Sequence, residues 1–251
     1  MVERGPAAYI AELIGTLMLV FMITAAVSLY VVPPNPQVPV QPFIDFSVIG
    51  LVHVFVLFML IQTLAVVSGA HFNPAVTVAL AALRQIKPSD AAIYVVVQLI
   101  GGVLGALLTK MLLDNEGDPV AYGATLVSEG RLEGKALSGM FAELIGTFFL
   151  MWAIVGVAVS ERGLRDWAGL VIGGTLGLAV MVLAPLTGAG FNPARSFGPA
   201  LVSGEWGDPG SEFFLVYVVG PLVGALLAVA IYAAMFMQPG KKGAEGMEPV
   251  G

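Results

Sequence analysis

Two copies of the triplet Asn-Pro-Ala are the polar residues of this chain best suited to bind something. They lie within the similar segments SGAHFNPAVT and TGAGFNPARS, and Arg195 directly follows the second copy. The triplets are Asn73, Pro74 and Ala75, and Asn192, Pro193 and Ala194. An asparagine amide donates and accepts hydrogen bonds, while a guanidinium only donates and stays charged. Such groups can orient neutral polar molecules and repel cations.

Enzyme chemistry has no support in this sequence. It contains no metal-binding cluster, no nucleophile paired with a base and no glycine-rich phosphate loop. The absence of cysteine excludes disulfides and thiolate metal sites, and a net charge of −6 offers no basic surface for nucleic acid. We therefore expect a protein that is not an enzyme, with no metal, no other cofactor and no nucleic-acid partner.

The elements that carry these polar groups must lie in a membrane. The composition is 58% hydrophobic and 11% charged, with a mean hydropathy of +0.92, outside the range typical of soluble domains. A helix needs about 20 apolar residues to cross about 30 Å of hydrocarbon. Transmembrane helices are predicted near 7–31, 44–67, 91–113, 136–159, 167–186 and 213–237. The first run is too long for a signal peptide, so we expect it to be retained.

Lysines and arginines predict the orientation, because basic residues in short loops resist translocation. Most of them fall on one side if both termini lie inside the cell. The inner residues are then Arg4, Arg84, Lys87, Arg162, Arg165, Lys241 and Lys242, and the outer ones are Lys110, Arg131 and Lys135. We expect a multi-pass protein of the cell membrane with cytoplasmic termini.

An internal repeat organises the chain, since AELIGT at 11–16 recurs at 142–147. We interpret the chain as one transmembrane channel domain, 1–251, with repeats near 6–113 and 136–237 and a linker near 114–135. Each repeat holds three predicted spans, so the second copy must enter the membrane from the opposite side. Inverted repeats of this kind place a transport site near the midplane, between the two copies.

Each Asn-Pro-Ala triplet predicts the start of a half-length helix. Asparagine is a favoured N-cap and proline a favoured first helical residue. The apolar run after Asn73 is about ten residues long, or about 15 Å of helix. Inverted symmetry brings two such half-helices together as a seventh, broken span. Irregular backbone at that depth must be packed in protein or line a watery cavity, so a plug without a pore is the alternative.

The meeting point of the half-helices would select neutral solutes. Two helix N-termini place partial positive charges there, and Asn73 and Asn192 offer N–H donors. A water molecule that gives its lone pairs to both amides cannot also accept from its neighbour, which interrupts proton hopping. The carbonyl ladder expected for a single file is formed by Gly69, Ala70 and His71, and by Gly188, Ala189 and Gly190.

Two carboxylates, Glu12 and Glu143, occupy matching places in the repeats. A carboxylate in a membrane must find partners or take up a proton. We expect both to hold N–H groups of the segments before the half-helices, with Gln98 as a further partner; proton coupling is the alternative. His71 could gate by protonation, but we expect it to be packed or pore-lining.

In combination these motifs resemble the aquaporins, over nearly the whole chain from about Pro6 to Met237. The resemblance rests on both triplets, the repeated AELIGT, SGAHFNPAVT and NPARSFGP, and the chain is similar to archaeal and bacterial members. It implies an all-α integral membrane protein with six transmembrane helices and two re-entrant half-helices. It also implies a homotetramer with one pore per subunit.

The resemblance further implies an outer constriction, with His53, Val180 and Ala189 facing Arg195 by the family's spacing. The commonest water-only pattern has Phe at the first of these positions and His at the second. The set found here is similar to that of plant vacuolar-membrane members, some of which pass ammonia or urea. Glycerol-selective members carry Asp after the arginine, where this chain has Ser196. We expect mainly water, with weaker passage of glycerol or ammonia.

Other functions stay open at this point. A broad facilitator of glycerol, ammonia and urea, with water secondary, follows if Val180 and Ala189 determine the width. A secondary transporter would share the inverted repeat, but only Glu12 and Glu143 are candidates for its ion relay. A structural membrane protein would not need Arg195, which is costly in a membrane unless it faces water.

Overall fold

The computed structural model describes residues 4–32, 43–207 and 211–237, so that Lys241 and Lys242 lie outside the described residues. The α-helices are α1 Pro6–Tyr30, α2 Phe46–Ser68, α3 Pro74–Ala82, α4 Pro88–Leu112, α5 Asp114–Gly117, α6 Glu129–Leu132, α7 Ala136–Ile154, α8 Ala168–Thr187, α9 Pro193–Ser203, α10 Ser211–Phe214 and α11 Gly220–Phe236. Short 3-10 helices cover Asp118–Gly123 and Arg165–Trp167, and π-helical turns cover Val155–Val159 and Leu215–Val219. Strands β1 Val31–Val32 and β2 Phe43–Ile44 form one small antiparallel pair.

In the part of the chain that the structure describes, six helical segments are long and apolar enough to cross a membrane. They are Pro6–Tyr30, Phe46–Ser68, Pro88–Leu112, Ala136–Val159, Arg165–Thr187 and Glu212–Phe236. The third begins at Pro88, before the predicted boundary, because a proline fits the first helical position and Lys87 can precede it in extended backbone. The prediction of an all-α membrane protein is confirmed, apart from the two-residue strands.

The two half-helices, α3 and α9, have 9 and 11 residues and are too short to cross a bilayer. Each begins at a proline that directly follows a capping asparagine. They contact each other, and each also packs on a long helix of the opposite repeat: α3 against α11, and α9 against α4. The half-helices are therefore held between the two repeats.

Glycines allow the long helices to approach closely, as small residues do in membranes. A Cβ added at Gly101 or Gly105 of α4 would lie 2.6 Å from a carbonyl oxygen of α1. A Cβ at Gly173 of α8 would lie 2.5 Å from the carbonyl oxygen of Val54 on α2. The pairs α1–α4 and α2–α8 thus pack backbone to backbone and form a rigid frame around the half-helices.

The segment between the repeats, predicted as a linker near 114–135, folds over the frame. It contains α5, the 3-10 helix Asp118–Gly123 and α6. The 3-10 segment packs on α1 and on α9, and Ser128 donates its backbone N–H to the Leu186 carbonyl at 2.8 Å. The linker therefore reaches the second half-helix, which places Gly123 within reach of Arg195.

Candidate functional site

Each asparagine caps its half-helix through its own side chain. The Asn73 Oδ1 accepts from the Ala75 N–H at 2.9 Å, and the Asn192 Oδ1 accepts from the Ala194 N–H at 3.0 Å. Both asparagines have extended backbone, with φ of −154° and −153°. The oxygen of each amide thereby accepts within its own repeat, and the NH2 group of the same amide points toward the other repeat.

The NH2 groups tie the two repeats together. Asn73 donates from Nδ2 to the Phe191 carbonyl, and Asn192 donates from Nδ2 to the Phe72 carbonyl, both at 2.8 Å. An amide has two N–H donors, so one remains on each asparagine for the cavity that both residues line. Sequence reasoning missed this reciprocal pair, because the backbone acceptors leave no trace in residue type.

Glu12 supports the first pore loop, residues 69–72. Its carboxylate accepts from the backbone N–H of His71 at 2.9 Å, from that of Phe72 at 2.7 Å and from the Gln98 amide at 2.8 Å. Gln98 also donates to Thr77 at 3.0 Å. The carboxylate of Glu12 therefore joins two backbone N–H groups of the loop to Gln98, and its supporting role stays a prediction.

Glu143 supports the second pore loop, residues 188–191, in the same way. It accepts from the backbone N–H of Gly190 at 2.8 Å, from that of Phe191 at 2.6 Å and from the Thr187 hydroxyl at 2.6 Å. Both loops contain left-handed residues, among them Phe72 at φ 48° and Phe191 at φ 51°. Non-glycine residues in that region cost free energy, which the carboxylate hydrogen bonds offset.

Arg195 lies in the first turn of α9 and is 2% exposed. Its Nη1 donates to the Gly123 carbonyl of the linker at 2.8 Å. Its buried Nε has no hydrogen-bond partner among the described residues. An arginine in a membrane needs backbone acceptors or water. The linker therefore holds the guanidinium through Nη1.

His53 is equally buried, and its Nδ1 donates to the Ile49 carbonyl at 2.7 Å, since a carbonyl oxygen can only accept. The Nε2 of the neutral ring is then an acceptor, and it has no partner among the described residues. His53 and Arg195 line the same cavity. One offers an acceptor and the other a donor.

A cavity of about 610 Å³ connects these groups. It extends from His53 and Arg195, past Asn73 and Asn192, toward the face that carries Arg4 and the other terminal residues of the described chain. Its walls are largely apolar, with Ile23, Leu57, Ile61, Leu150, Ile154 and Leu176 among them. Its charged or titratable lining residues within the described chain are Arg4, His53, His71, Arg165 and Arg195, and none is acidic. The described lining therefore carries arginines and no carboxylate.

The predicted pore residues fall into two groups. Those that line this cavity are His53, Gly69, Ala70, His71, Asn73, Gly190, Asn192 and Arg195. Those that the described cavity wall does not include are Pro74, Ala75, Val180, Gly188, Ala189, Pro193 and Ala194. Val180 and Ala189 are each 1% exposed in an apolar cluster with Leu176. Their place at the outer constriction stays a prediction.

His71 is held in place rather than free to swing. Its Nδ1 lies 3.1 Å from the Thr77 hydroxyl, and its ring meets the Tyr94 ring edge to face, with centroids 5.2 Å apart. Arg4 lies beside it at the mouth of the cavity, where its backbone N–H donates to Asp90 at 2.9 Å. Sequence reasoning used Arg4 only to orient the chain and missed its place at the cavity.

Within the described residues, six candidate membrane spans, two capped half-helices and a cavity that both asparagines line define a polytopic membrane channel. A model of the family described as major intrinsic protein matches residues 5–232. The chain belongs to the major intrinsic protein family, which confirms the resemblance to the aquaporins. Members of this family are channels rather than enzymes.

Relatives from plants and archaea match most of the chain. Nodulin-26 of Glycine max is 38% identical over 89% of this chain and 75% of its own length. Probable aquaporin AqpM of Archaeoglobus fulgidus is 36% identical over 89% of this chain and 94% of its own length. An X-ray structure of the aquaglyceroporin from Plasmodium falciparum has a TM-score of 0.74 at 23% identity, covering 91% of this chain and 96% of that one, and shares the fold. Together they support a membrane channel for water or small solutes.

Proposed function

We propose that the protein is a passive water channel that also passes small neutral solutes, such as glycerol or ammonia, more slowly. The observation that carries this proposal is the cavity that His53, Asn73, Asn192 and Arg195 line together, with no acidic residue in its described wall. A water molecule, which both donates and accepts hydrogen bonds, can exchange them with such groups. A neutral solute with a hydroxyl or amine can do the same, whereas a cation meets only repulsion from the guanidinium.

The asparagines form the second selective point in this proposal. Each presents one N–H donor to the cavity while its other N–H holds the opposite loop. A water molecule that accepts from both amides must donate outward in both directions, so a proton cannot hop through it. The N-termini of α3 and α9 add partial positive charge at the same place. Water passes under this scheme, while protons and cations do not.

A broad facilitator of glycerol, ammonia and urea, with water secondary, is the second candidate. It is favoured by the small side chains of Val180 and Ala189, which leave more cross-section than aromatic residues would. The two candidates differ in one ratio, the permeability to glycerol or ammonia relative to water.

We also propose that the channel lies in the cell membrane as a homotetramer, with both termini in the cytoplasm. The orientation rests on the basic residues, since those on the face of Arg4 outnumber those on the other. The tetramer rests on the family alone. Mass measurement of the purified complex in detergent tests the assembly, and protease access to a C-terminal tag in sealed cells tests the orientation.

Stopped-flow light scattering on liposomes that contain the purified protein tests the proposed function. An impermeant osmolyte, glycerol and an ammonia gradient are compared on the same preparation, with empty liposomes as the control. Rapid shrinkage with slow solute uptake is the expected result. Solute uptake comparable to water would replace the proposal with the broad facilitator, and shrinkage no faster than in empty liposomes would overturn both.

A further inference from the structure

The Gly123 carbonyl that holds Arg195 sits at the end of an unusual stretch of backbone. Ala121, Tyr122 and Gly123 all have positive φ, at 50°, 50° and 74°. Only glycine adopts that region at no steric cost, so two of these three residues are strained. A strained segment persists only where its surroundings over-determine it. The contacts of Tyr122 therefore decide where the carbonyl points.

Tyr122 is anchored at both ends of its side chain. The ring is buried, with the whole residue 2% exposed, and it packs over Gly117, where an added Cβ would lie 2.5 Å from a ring carbon. The hydroxyl donates to the Asp114 carboxylate at 2.5 Å. The Lys110 ammonium lies 5.1 Å from the ring centroid, within the range of a cation–π contact.

The hydroxyl is a permanent donor. The hydrogen bond to Asp114 raises the pKa of Tyr122 to about 12, so the phenol keeps its proton at any pH a cell reaches. Hydrogen bonds to a charged acceptor are roughly twice as strong as neutral ones. Asp114 itself is exposed, which means that a surface carboxylate fixes a buried ring directly adjacent to Gly123.

Gly123 completes the connection to the frame. A Cβ added there would lie 3.2 Å from the Val27 Cβ and 3.3 Å from the Thr24 Cα, both on α1. The backbone of Gly123 therefore lies against α1 on one face and offers its carbonyl to Arg195 on the other. Because Gly123 directly follows Tyr122 in the chain, a shift of Tyr122 is passed to the carbonyl that holds Arg195.

We propose that Tyr122 and Asp114 are positioning residues for Arg195 and thereby help to set the selectivity of the channel. The hydrogen bond between them holds the left-handed segment, the segment aims the Gly123 carbonyl, and the carbonyl fixes the guanidinium. This inference rests on the proposed function, because it assigns Arg195 to the selective constriction. Neither residue lines the described cavity, so both act through Arg195.

The variant Tyr122→Phe removes the hydroxyl and keeps the ring. We expect the ratio of glycerol to water permeability to rise about threefold, a part of the tenfold or more that losing a hydrogen bond to a charged group can cost. Water flux should change less, since a looser guanidinium widens the pore for the bulkier solute first. Tyr232→Phe is the matched control, because Tyr232 packs among aromatic residues on α7 and α11, away from Arg195.

The variant Asp114→Ala tests the same hydrogen bond from the surface and carries the test if Tyr122→Phe does not fold. It should raise the ratio to the same extent, and the double variant should add nothing further, because both changes break one interaction. Asp114→Asn keeps an acceptor oxygen and should preserve most of the wild-type ratio. A purely structural role would lower the yield or the melting temperature and leave the ratio unchanged.

A wild-type ratio in both Tyr122→Phe and Asp114→Ala, with water flux intact, overturns the inference but not the proposed function. Wild-type protein that passes no more water than empty liposomes overturns the proposed function itself. The two failures are therefore distinguishable on one set of preparations.

Discussion

The two pore loops, residues 69–72 and 188–191, share one pattern of hydrogen bonds, yet they differ at the positions for which we propose a role in selectivity. Glu12 and Glu143 hold the loops through the same pair of backbone N–H groups, and the asparagines exchange symmetric bonds. The position after each triplet, however, is Val76 in the first repeat and Arg195 in the second. The supporting contacts thus occur twice, whereas the charged group that we propose discriminates between solutes is present once.

A second difference lies two residues before each asparagine. The first loop carries His71 there, and the second carries Gly190. A Cβ at Gly190 would lie 2.5 Å from the Ser196 hydroxyl and 2.9 Å from the Glu143 carboxylate, so the second loop has no space for a side chain. In the second loop Ser196 and Glu143 occupy the space beside Gly190, whereas in the first loop the matching position carries the imidazole of His71.

Replacing Arg195 removes the difference between the residues that follow the two triplets, and we expect it to change solute flux more than any other substitution considered. Arg195→Val makes the second repeat resemble the first, and we expect glycerol flux to rise about tenfold, equivalent to about 1.4 kcal/mol of barrier. A small leak of cations should accompany it, because the guanidinium beside His53 is gone and only the half-helix termini and the arginines Arg4 and Arg165 still repel cations. Liposome assays of glycerol and sodium uptake measure both effects.

Arg84→Gln is the control, because Arg84 is exposed and lies outside the described cavity wall. An unchanged glycerol flux in Arg195→Val would contradict the proposed constriction.

The symmetric part of the comparison predicts equal losses. Glu12→Gln and Glu143→Gln each turn an amide NH2 toward a backbone donor, which should cost about 2 kcal/mol. The midpoint of thermal unfolding in detergent should then fall by about 4–8 °C in both variants. If the halves are equivalent supports, the two shifts agree closely. A large loss in only one would mean that the other carboxylate is not needed by its loop.

The same two variants separate a channel from a proton-coupled transporter. A channel has no solute uptake driven by a pH gradient, either in the wild type or in the glutamine variants. Uptake against a solute gradient that disappears in Glu12→Gln or Glu143→Gln would assign the carboxylates a proton relay in place of the supporting role.

A smaller effect is expected from narrowing the constriction. Val180→Phe should reduce glycerol flux about fivefold and water flux about twofold, since the larger solute meets the added ring first. Val182→Phe is the matched control on the same helix, because Val182 is 63% exposed on the outside of α8. Stopped-flow measurements on both variants decide the point. An equal loss of glycerol and water flux would mean that Val180 does not face the pore.

Local rules were sufficient to predict the helices and the half-helices. Span length, the Asn-Pro start signal and the repeated AELIGT depend on short-range chemistry that each segment carries by itself. Even the glycines of the repeat follow from the fold in a simple way, since a Cβ at Gly15 or Gly146 would overlap the ring of Phe72 or Phe191. That pairing, however, becomes visible only once the loops are placed.

The backbone acceptors of the site could not be predicted. The carbonyls of Phe72, Phe191 and Gly123 accept the decisive side-chain bonds, and a carbonyl group is the same in every residue. Their direction depends on left-handed backbone at Phe72, Phe191 and Gly123, of which only the glycine is suggestive in sequence. Residue types in the sequence therefore identify the side-chain donors, while the backbone acceptors become known only from the fold.

Mercurial reagents should have no effect on this protein. Because the chain contains no cysteine, mercurial reagents have no thiolate to bind in either repeat, and water flux in liposomes should be unchanged after treatment. Ala189→Cys supplies a matched positive control, since it places a thiol in the second pore loop at a predicted constriction residue. It should make the flux sensitive to mercury and recoverable with added thiol. Inhibition of the wild type that thiol reverses would contradict the assignment of the pore to these loops. A resistant Ala189→Cys would remove Ala189 from the constriction and leave Arg195 and His53 as its walls.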